Sequence, residues 1–300
     1  MDRPHRTLAT GAAHAHGISV RQLRSRAYTR VTHGRYVAGP IKDETAWWAA
    51  VLDALPPGTV LSHASAARLY ELPLVVGLNC PAEITTVTVP ATAPVPARAG
   101  VIAHGRILTP DDTRYYRGVP VTTPARLLTD AANDVALEWL AAVGDAMLRL
   151  GLANEAQLLA GVEAAAGRRG VVRAREALSL LDGRSQSAPE TVLRIRLGRA
   201  GLWLTPQCPV LDGDQVIAHV DLGLPRLRVG VEYEGRHHAE GEQFDRDLSR
   251  YTRFTALGWR ILRAGRADLT GGSRWFIERV RDAVRAAAAE RGVTDPTSAR

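Results

Sequence analysis

The chain is 300 residues long, with 46% hydrophobic and 23% charged residues, which excludes a disordered or low-complexity protein and leaves room for two or three cored domains. Cys80 and Cys208 lie far apart without C-x-x-C spacing, which argues against a disulfide framework and a cysteine zinc site. The formal net charge of +7 is concentrated at one end: residues 1–40 hold seven arginines and one acid, whereas the rest of the chain is close to balance.

No run of eighteen uncharged apolar residues occurs, and the opening stretch MDRPHRTLATGAAHAHG has no apolar core of a signal peptide. A soluble, cytoplasmic protein without a membrane partner is expected. The sequence leaves open whether it forms a homodimer.

A localised cationic patch is the electrostatic footprint of phosphate-backbone binding, with a solvated basic tail as the plainer alternative. Periodicity favours the ordered reading. A first helix is predicted over 7–16, ended by Gly17, and Ser19-x-x-Gln22 has the form of a capping box opening a second over 20–27. YTRVTHGRYVAG then alternates as a hairpin turning at His33-Gly34. Helix, helix and basic hairpin is the order of a winged helix-turn-helix, so residues 1–40 are read as a DNA-binding module. Arg21 and Arg24 share a helical face, Arg26 follows, and Arg30 and Arg35 are wing residues near the DNA backbone. This segment resembles the N-terminal module of AbiEi-type antitoxin proteins.

Residues 41–182 read as a mainly helical scaffold domain. TAWWAAVLDAL stops at Pro56-Pro57-Gly58, LSHASAARLYEL starts after Ser62, and Thr123 with Pro124 opens a further helix. EITTVTVP alternates as a strand with GVIAHGRIL as its partner. The region shows no nucleophile elbow, phosphate-cradling loop or ligand cluster. LSHASAARL and GVPVTTPARLL resemble the middle portion of the same antitoxin-related family, which implies shared architecture only.

The polar stretch DGRSQSAP is the linker to a third domain, 183–300. Its pattern is helix, three-strand meander, helix, strand, helix, so the overall fold class is α/β (α+β). On the third strand Gly230, Glu232 and Glu234 share one face and Val229, Val231 and Tyr233 the other. A two-residue turn at Pro225-Arg226 pairs Asp221 with Gly230, on the acidic face and diagonal to Glu232. Acids converging on a buried sheet repel one another unless a hard divalent cation, Mg²⁺ or Mn²⁺, neutralises them. His219 falls on the same inferred face, where a core histidine is the plainer reading.

Asp221, a short turn and Glu232-x-Glu234 resemble the PD-(D/E)xK nuclease signature, while VEYEGRHH, Asp247-x-x-Arg250 and LGWRILR are similar to its very-short-patch-repair-endonuclease-like branch. The resemblance covers residues 185–290 and implies a restriction-endonuclease-like mixed sheet flanked by helices. It further implies that Asp221 and Glu232 hold the metal and that His238 activates water or stabilises the phosphate. Glu190 would complete the site, although Ser187-x-x-Glu190 also reads as a capping box. Asp247 and Arg250 are supporting residues by the same resemblance and an ordinary i,i+3 pair otherwise. The only lysine is Lys42, so Glu234 stands where the motif has lysine. His238, Arg236 or Arg250 must take over that role, or the site is inactive. A divalent-metal-dependent DNA endonuclease is therefore expected. The alternative is a DNA-binding antitoxin or regulator with a silent nuclease-like domain. An RNA-processing nuclease gains little support from 5% aromatic residues without a stacking platform.

Overall fold

The computed structural model describes residues 7–75, 77–235, 241–270 and 273–294, the side chains of 241–248 excepted. Among the described residues the chain is mixed α/β, with eleven α-helices and sheets of three, five and four strands. No described helix is long and apolar enough to cross a membrane. The chain packs as two compact units: residues up to Ala136 with Leu152–Arg175, and Leu137–Gly151 with Glu176 onward. Residues 41–182 thus divide between the units, and they contain a five-stranded sheet as well as helices.

The first unit opens with β1 (Leu8–Ala9), α1 (Thr10–Ala13), a 3-10 turn at His14–His16, α2 (Val20–Leu23) and the hairpin β2 (Tyr28–Thr32) and β3 (Arg35–Ala38). The helix expected over 7–16 is corrected, because Leu8 and Ala9 pair with Tyr36 and Arg35 and complete a sheet of order β1-β3-β2. The Ser19 capping box forms: its Oγ accepts from the Gln22 N–H at 3.2 Å, and Gln22 Oε1 accepts from the Ser19 N–H at 2.8 Å. The helix nevertheless stops at Leu23 instead of 27. Ser25 ends it by donating to the Gln22 carbonyl at 2.7 Å and accepting from the Ala27 N–H at 3.3 Å, a local alternative to the helical ladder.

Next come α3 (Glu44–Asp53), β4 (Val60–Leu61), α4 (His63–Leu69), β5 (Thr85–Pro90), β6 (Val101–Arg106), β7 (Thr113–Tyr116), β8 (Val119–Thr122) and α5 (Pro124–Ala131). The expected partners β5 and β6 do pair, in parallel, within a sheet of order β6-β5-β4-β8-β7. Ser65 and Thr86 fasten α4 to β5 reciprocally, each hydroxyl accepting from the other's N–H at 2.8 Å. Thr123 caps α5 as predicted. After α6 (Leu137–Arg149), which belongs to the second unit, α7 (Glu155–Ala164) returns to the first, and α8 (Val171–Leu178) runs from one unit into the other.

The second unit continues with α9 (Ala188–Arg199), β9 (Thr205–Asp212), β10 (Gln215–Leu224), β11 (Val229–Tyr233), α10 (Gly241–Ala256), β12 (Arg260–Ala264) and α11 (Arg274–Arg291), the element order expected from the sequence. The sheet order is β12-β11-β10-β9, with β9 to β11 antiparallel and β12 parallel to β11 after the α10 crossover. Val229 and Val231 pack with Leu193 and Leu197 of α9 and Val280 of α11, each buried aliphatic side chain worth about 1.5–3 kcal/mol. Cys208 and Val220 pack with Phe254 of α10 and Trp259 in a second cluster.

The expected register is corrected. A four-residue loop, 225–228, replaces the two-residue turn, closed by the Arg228 N–H on the Pro225 carbonyl with Arg228 at φ 51°. Gly223, not Asp221, therefore faces Gly230. The shift is by two residues, which preserves the side-chain parity of a regular strand.

Helix α9, which carries Glu190, is anchored to α6 through Asp145, 1% exposed. Asp145 Oδ1 accepts from the Asp182 N–H at 2.6 Å, and Oδ2 accepts from Thr191 Oγ1 at 2.7 Å and Arg194 Nη2 at 2.9 Å. Removing one member of such a network leaves the other's charge buried and unanswered. Asp145→Ala should lower unfolding free energy by about 3–5 kcal/mol in urea titrations. A loss below about 1 kcal/mol would show that the network does not hold α9.

Candidate active site

Asp221 lies where the β10–β11 ladder ends. The last pair at that end is Leu222 with Val231, and one rung further brings Asp221 opposite Glu232. Here a side chain replaces a ladder bond: Asp221 Oδ2 accepts from the Tyr233 N–H at 2.8 Å. The alternation also breaks at this rung. Val220 packs in the α10 cluster and Leu222 in the α9–α11 cluster, although residues two apart in a regular strand share a face.

The matching irregularity on β9 is Gln207, whose neighbours Pro206 and Cys208 pair with Leu222 and Val220. Gln207 has φ 47°, a left-handed conformation that costs a non-glycine residue on the order of 1–3 kcal/mol. From it the amide Nε2 donates to Glu190 Oε2 at 3.1 Å, and the same amide counters the rise in proton affinity at Asp221.

Glu190 does less capping and more site work than its spacing implies. Ser187 Oγ accepts from the Glu190 N–H at 3.4 Å, as a cap should. The reciprocal bond is missing, because Glu190 Oε2 reaches past Ser187 to accept from the Gln186 N–H at 2.9 Å. The carboxylate is buried, and burial raises its proton affinity, with the charge of Asp221 adding to the effect. Burial likewise raises Asp221, against the Tyr233 hydrogen bond and the charge of Arg250. Glu232 is raised by burial too; the Tyr251 hydroxyl and Arg250 oppose the shift and Asp221 reinforces it.

Helix α10 answers Glu232 directly. Its Oε2 accepts from the Tyr251 hydroxyl at 2.5 Å and from Arg250 Nη2 at 2.9 Å. Glu234 is exposed, 3.3 Å from the same hydroxyl through Oε1 and ion-paired with Arg263. Because a hydroxyl has one proton, the shorter contact to Glu232 is the bond that counts. Burial followed by Glu232 raises the Tyr251 pKa, so the phenol remains a donor.

The structure thus brings Glu190, Asp221, Glu232 and Arg250 together and leaves Glu234 at the rim. His219 is exposed, which removes both the core and the site reading for it. His238, Arg236 and the side chain of Asp247 lie outside the described residues. Among the described residues no three of His, Cys, Asp and Glu stand together as ligands for one ion. In the other unit Arg21, Arg24, Arg26 and Arg30 are exposed and Arg35 is half-buried. Gln207 and Tyr251 carry no signal in the sequence, and Arg263 stands in the Gly-Trp-x-x-x-Arg string without a role.

No known protein-family profile and no solved structure matches this chain. It is similar to the uncharacterized proteins MT2308 and Rv2248 of Mycobacterium tuberculosis, at 32% identity over 167 residues in each case. The match covers 54% of this chain, and the chain spans 60% of the length of these curated relatives. Their names attach no activity.

A carboxyl whose folded pKa is raised binds its proton more tightly in the native state, so stability falls as pH climbs from the unfolded pKa through the folded one. Asp221→Asn keeps an acceptor for the Tyr233 N–H and removes the charge. In EDTA the variant should melt above the parent at pH 8, with a smaller difference at pH 4. Equal differences at the two pH values in calorimetry would contradict the electrostatic account.

Proposed function

We propose that the chain is a divalent-metal-dependent phosphodiesterase acting on DNA, brought to its substrate by a winged-helix N-terminal module. The observation that carries this reading is the pair of acids at the end of the β10–β11 ladder, Asp221 held by the Tyr233 N–H and Glu232 on the opposite strand, with Glu190 of α9 held by Gln207 beside them. Burial raises the proton affinity of all three. Carboxylates that are buried, as Glu190 and Glu232 are, or half-buried beside them, as Asp221 is, need a proton, a counter-ion or a metal. The donor set fits a hard divalent cation, since it is all oxygen and negatively charged. Asp221 and Glu232 would hold Mg²⁺ or Mn²⁺. Such an ion polarises a phosphodiester and lowers the pKa of bound water. The chain's own residues do the positioning: Gln207 fixes Glu190, the Tyr233 N–H fixes Asp221, and Tyr251 with Arg250 fixes Glu232.

The mixed sheet with helices α9, α10 and α11 packed against it is of the kind that the PD-(D/E)xK resemblance implies and supports that reading. The hairpin and the exposed arginines beside a capped, short α2 support contact with a phosphate backbone, as a wing and its flanking turn would make. A second reading, a DNA-binding regulator with a silent nuclease-like unit, is favoured by one specific feature. Glu232 Oε2 is already engaged by Arg250 and Tyr251.

Cleavage of single-stranded, duplex and mismatched DNA separates the two. Activity should require Mg²⁺ or Mn²⁺, vanish in EDTA, and fall at least about 10²-fold in Asp221→Ala, the range for removing a preorganised charge-stabilising group. Undiminished cleavage by Asp221→Ala refutes the site. Absence of cleavage on every substrate, with salt-sensitive DNA binding retained in EDTA, selects the regulator.

A further inference from the structure

We propose that Arg263 is the side chain that receives the phosphodiester at this acidic site, and that Glu234 occupies its guanidinium until a nucleic-acid phosphate displaces the carboxylate. The inference deepens the phosphodiesterase reading and rests on it for the identity of the ligand. In the parallel pair β11–β12, Glu232 is the partner of Arg263, so both side chains leave adjacent strands on one face of the sheet. Their exposures differ sharply: the Glu232 side chain is 5% exposed and that of Arg263 53%. A cation therefore stands on the solvent side of a buried carboxylate, where a polymer too large to enter the site would rest its backbone.

The guanidinium is also oriented. It lies 4.8 Å over the Tyr251 ring, and Tyr251 is itself held by its hydroxyl on Glu232. A planar fork held over a fixed aromatic ring is suited to bidentate contact with two phosphate oxygens. Of the two arginines whose charge reaches Glu232, Arg250 is committed to that carboxylate by a hydrogen bond of 2.9 Å. Arg263 is paired instead with Glu234, 39% exposed. An exposed ion pair contributes little, so exchanging a hydrated carboxylate for a phosphate costs little. A guanidinium does not deprotonate in proteins, so Arg263 offsets phosphate charge and moves no proton.

Binding of the dinucleotide thymidylyl-thymidine to the full chain in EDTA tests this without catalysis or metal, and the probe is too short to span a DNA-binding module. Glu234→Gln should tighten binding about 3- to 10-fold, because the competing anion is gone. Arg263→Ala should weaken it at least about 10-fold, and Arg263→Lys should recover part of the loss by keeping the charge without the fork. Because the Arg263 pair is exposed, circular dichroism and melting of all three variants should match the parent. Unchanged binding in Arg263→Ala, or binding weakened by Glu234→Gln, overturns the proposal. If these dependences hold while Asp221→Ala leaves DNA cleavage intact, the phosphate contact stands and the metal-site assignment alone fails.

Discussion

The desolvation of three carboxylates, with the charge of Asp221 acting on the other two, is the constraint on which the site of the second unit depends. Asp221 of β10 and Glu232 of β11 lie on opposite strands where their ladder ends, and Glu190 of α9 is linked to Asp221 through the Gln207 amide. A sheet optimised only for stability would put aliphatic side chains there and continue its hydrogen bonds. This one gives up a ladder bond to the Asp221 carboxylate and holds Gln207 in a left-handed conformation opposite it. Local strain of that kind persists only where surrounding packing over-determines it. The packing is present: two apolar clusters, one toward α9 and α11 and one toward α10, clamp the flanking residues Val220 and Leu222.

The counter-charges are distributed with a gradient. Deep in the site, Glu232 meets Arg250 and the Tyr251 hydroxyl; at the rim, Glu234 meets Arg263. Tyr251 joins the two levels, since its hydroxyl touches both acids and its ring lies under both guanidinium groups. One aromatic side chain of α10 thereby couples the buried carboxylate to the surface cation. The absence of any lysine beyond Lys42 gives this arrangement its meaning, because every permanent positive charge near the acids is an arginine and none is a candidate base.

The first unit adds small buried hydroxyl side chains to a buried ion-pair network in which Arg126 meets Asp112 and Asp130, and Arg168 meets Asp112. Ser62, Ser65 and Thr86 are buried, and the reciprocal Ser65–Thr86 bonds attach α4 to β5. At its N-terminal end the three-stranded sheet depends on two residues, Leu8 and Ala9, that helical periodicity alone assigned to a helix. A short strand that borrows its stability from a distant partner has no local signature.

The sequence by itself determined the order of elements in the second unit, because periodicity, Pro189 and the glycine turns are local signals that act within a few residues. It also determined that Asp221 and Glu232 fall in central strands, and that Ser19 and Thr123 cap helices. Only the tertiary structure decided the rest. Loop length set the β10–β11 register and placed Asp221 opposite Glu232, and the Ser25 hydroxyl cut α2 short. Glu190 joined the acids, and Gln207, Tyr251 and Arg263 closed around them, because these contacts link residues 17 to 31 or more positions apart that no spacing rule connects. Alternation tells which side of its own strand a residue occupies; which residues share that side is fixed when separate elements pack.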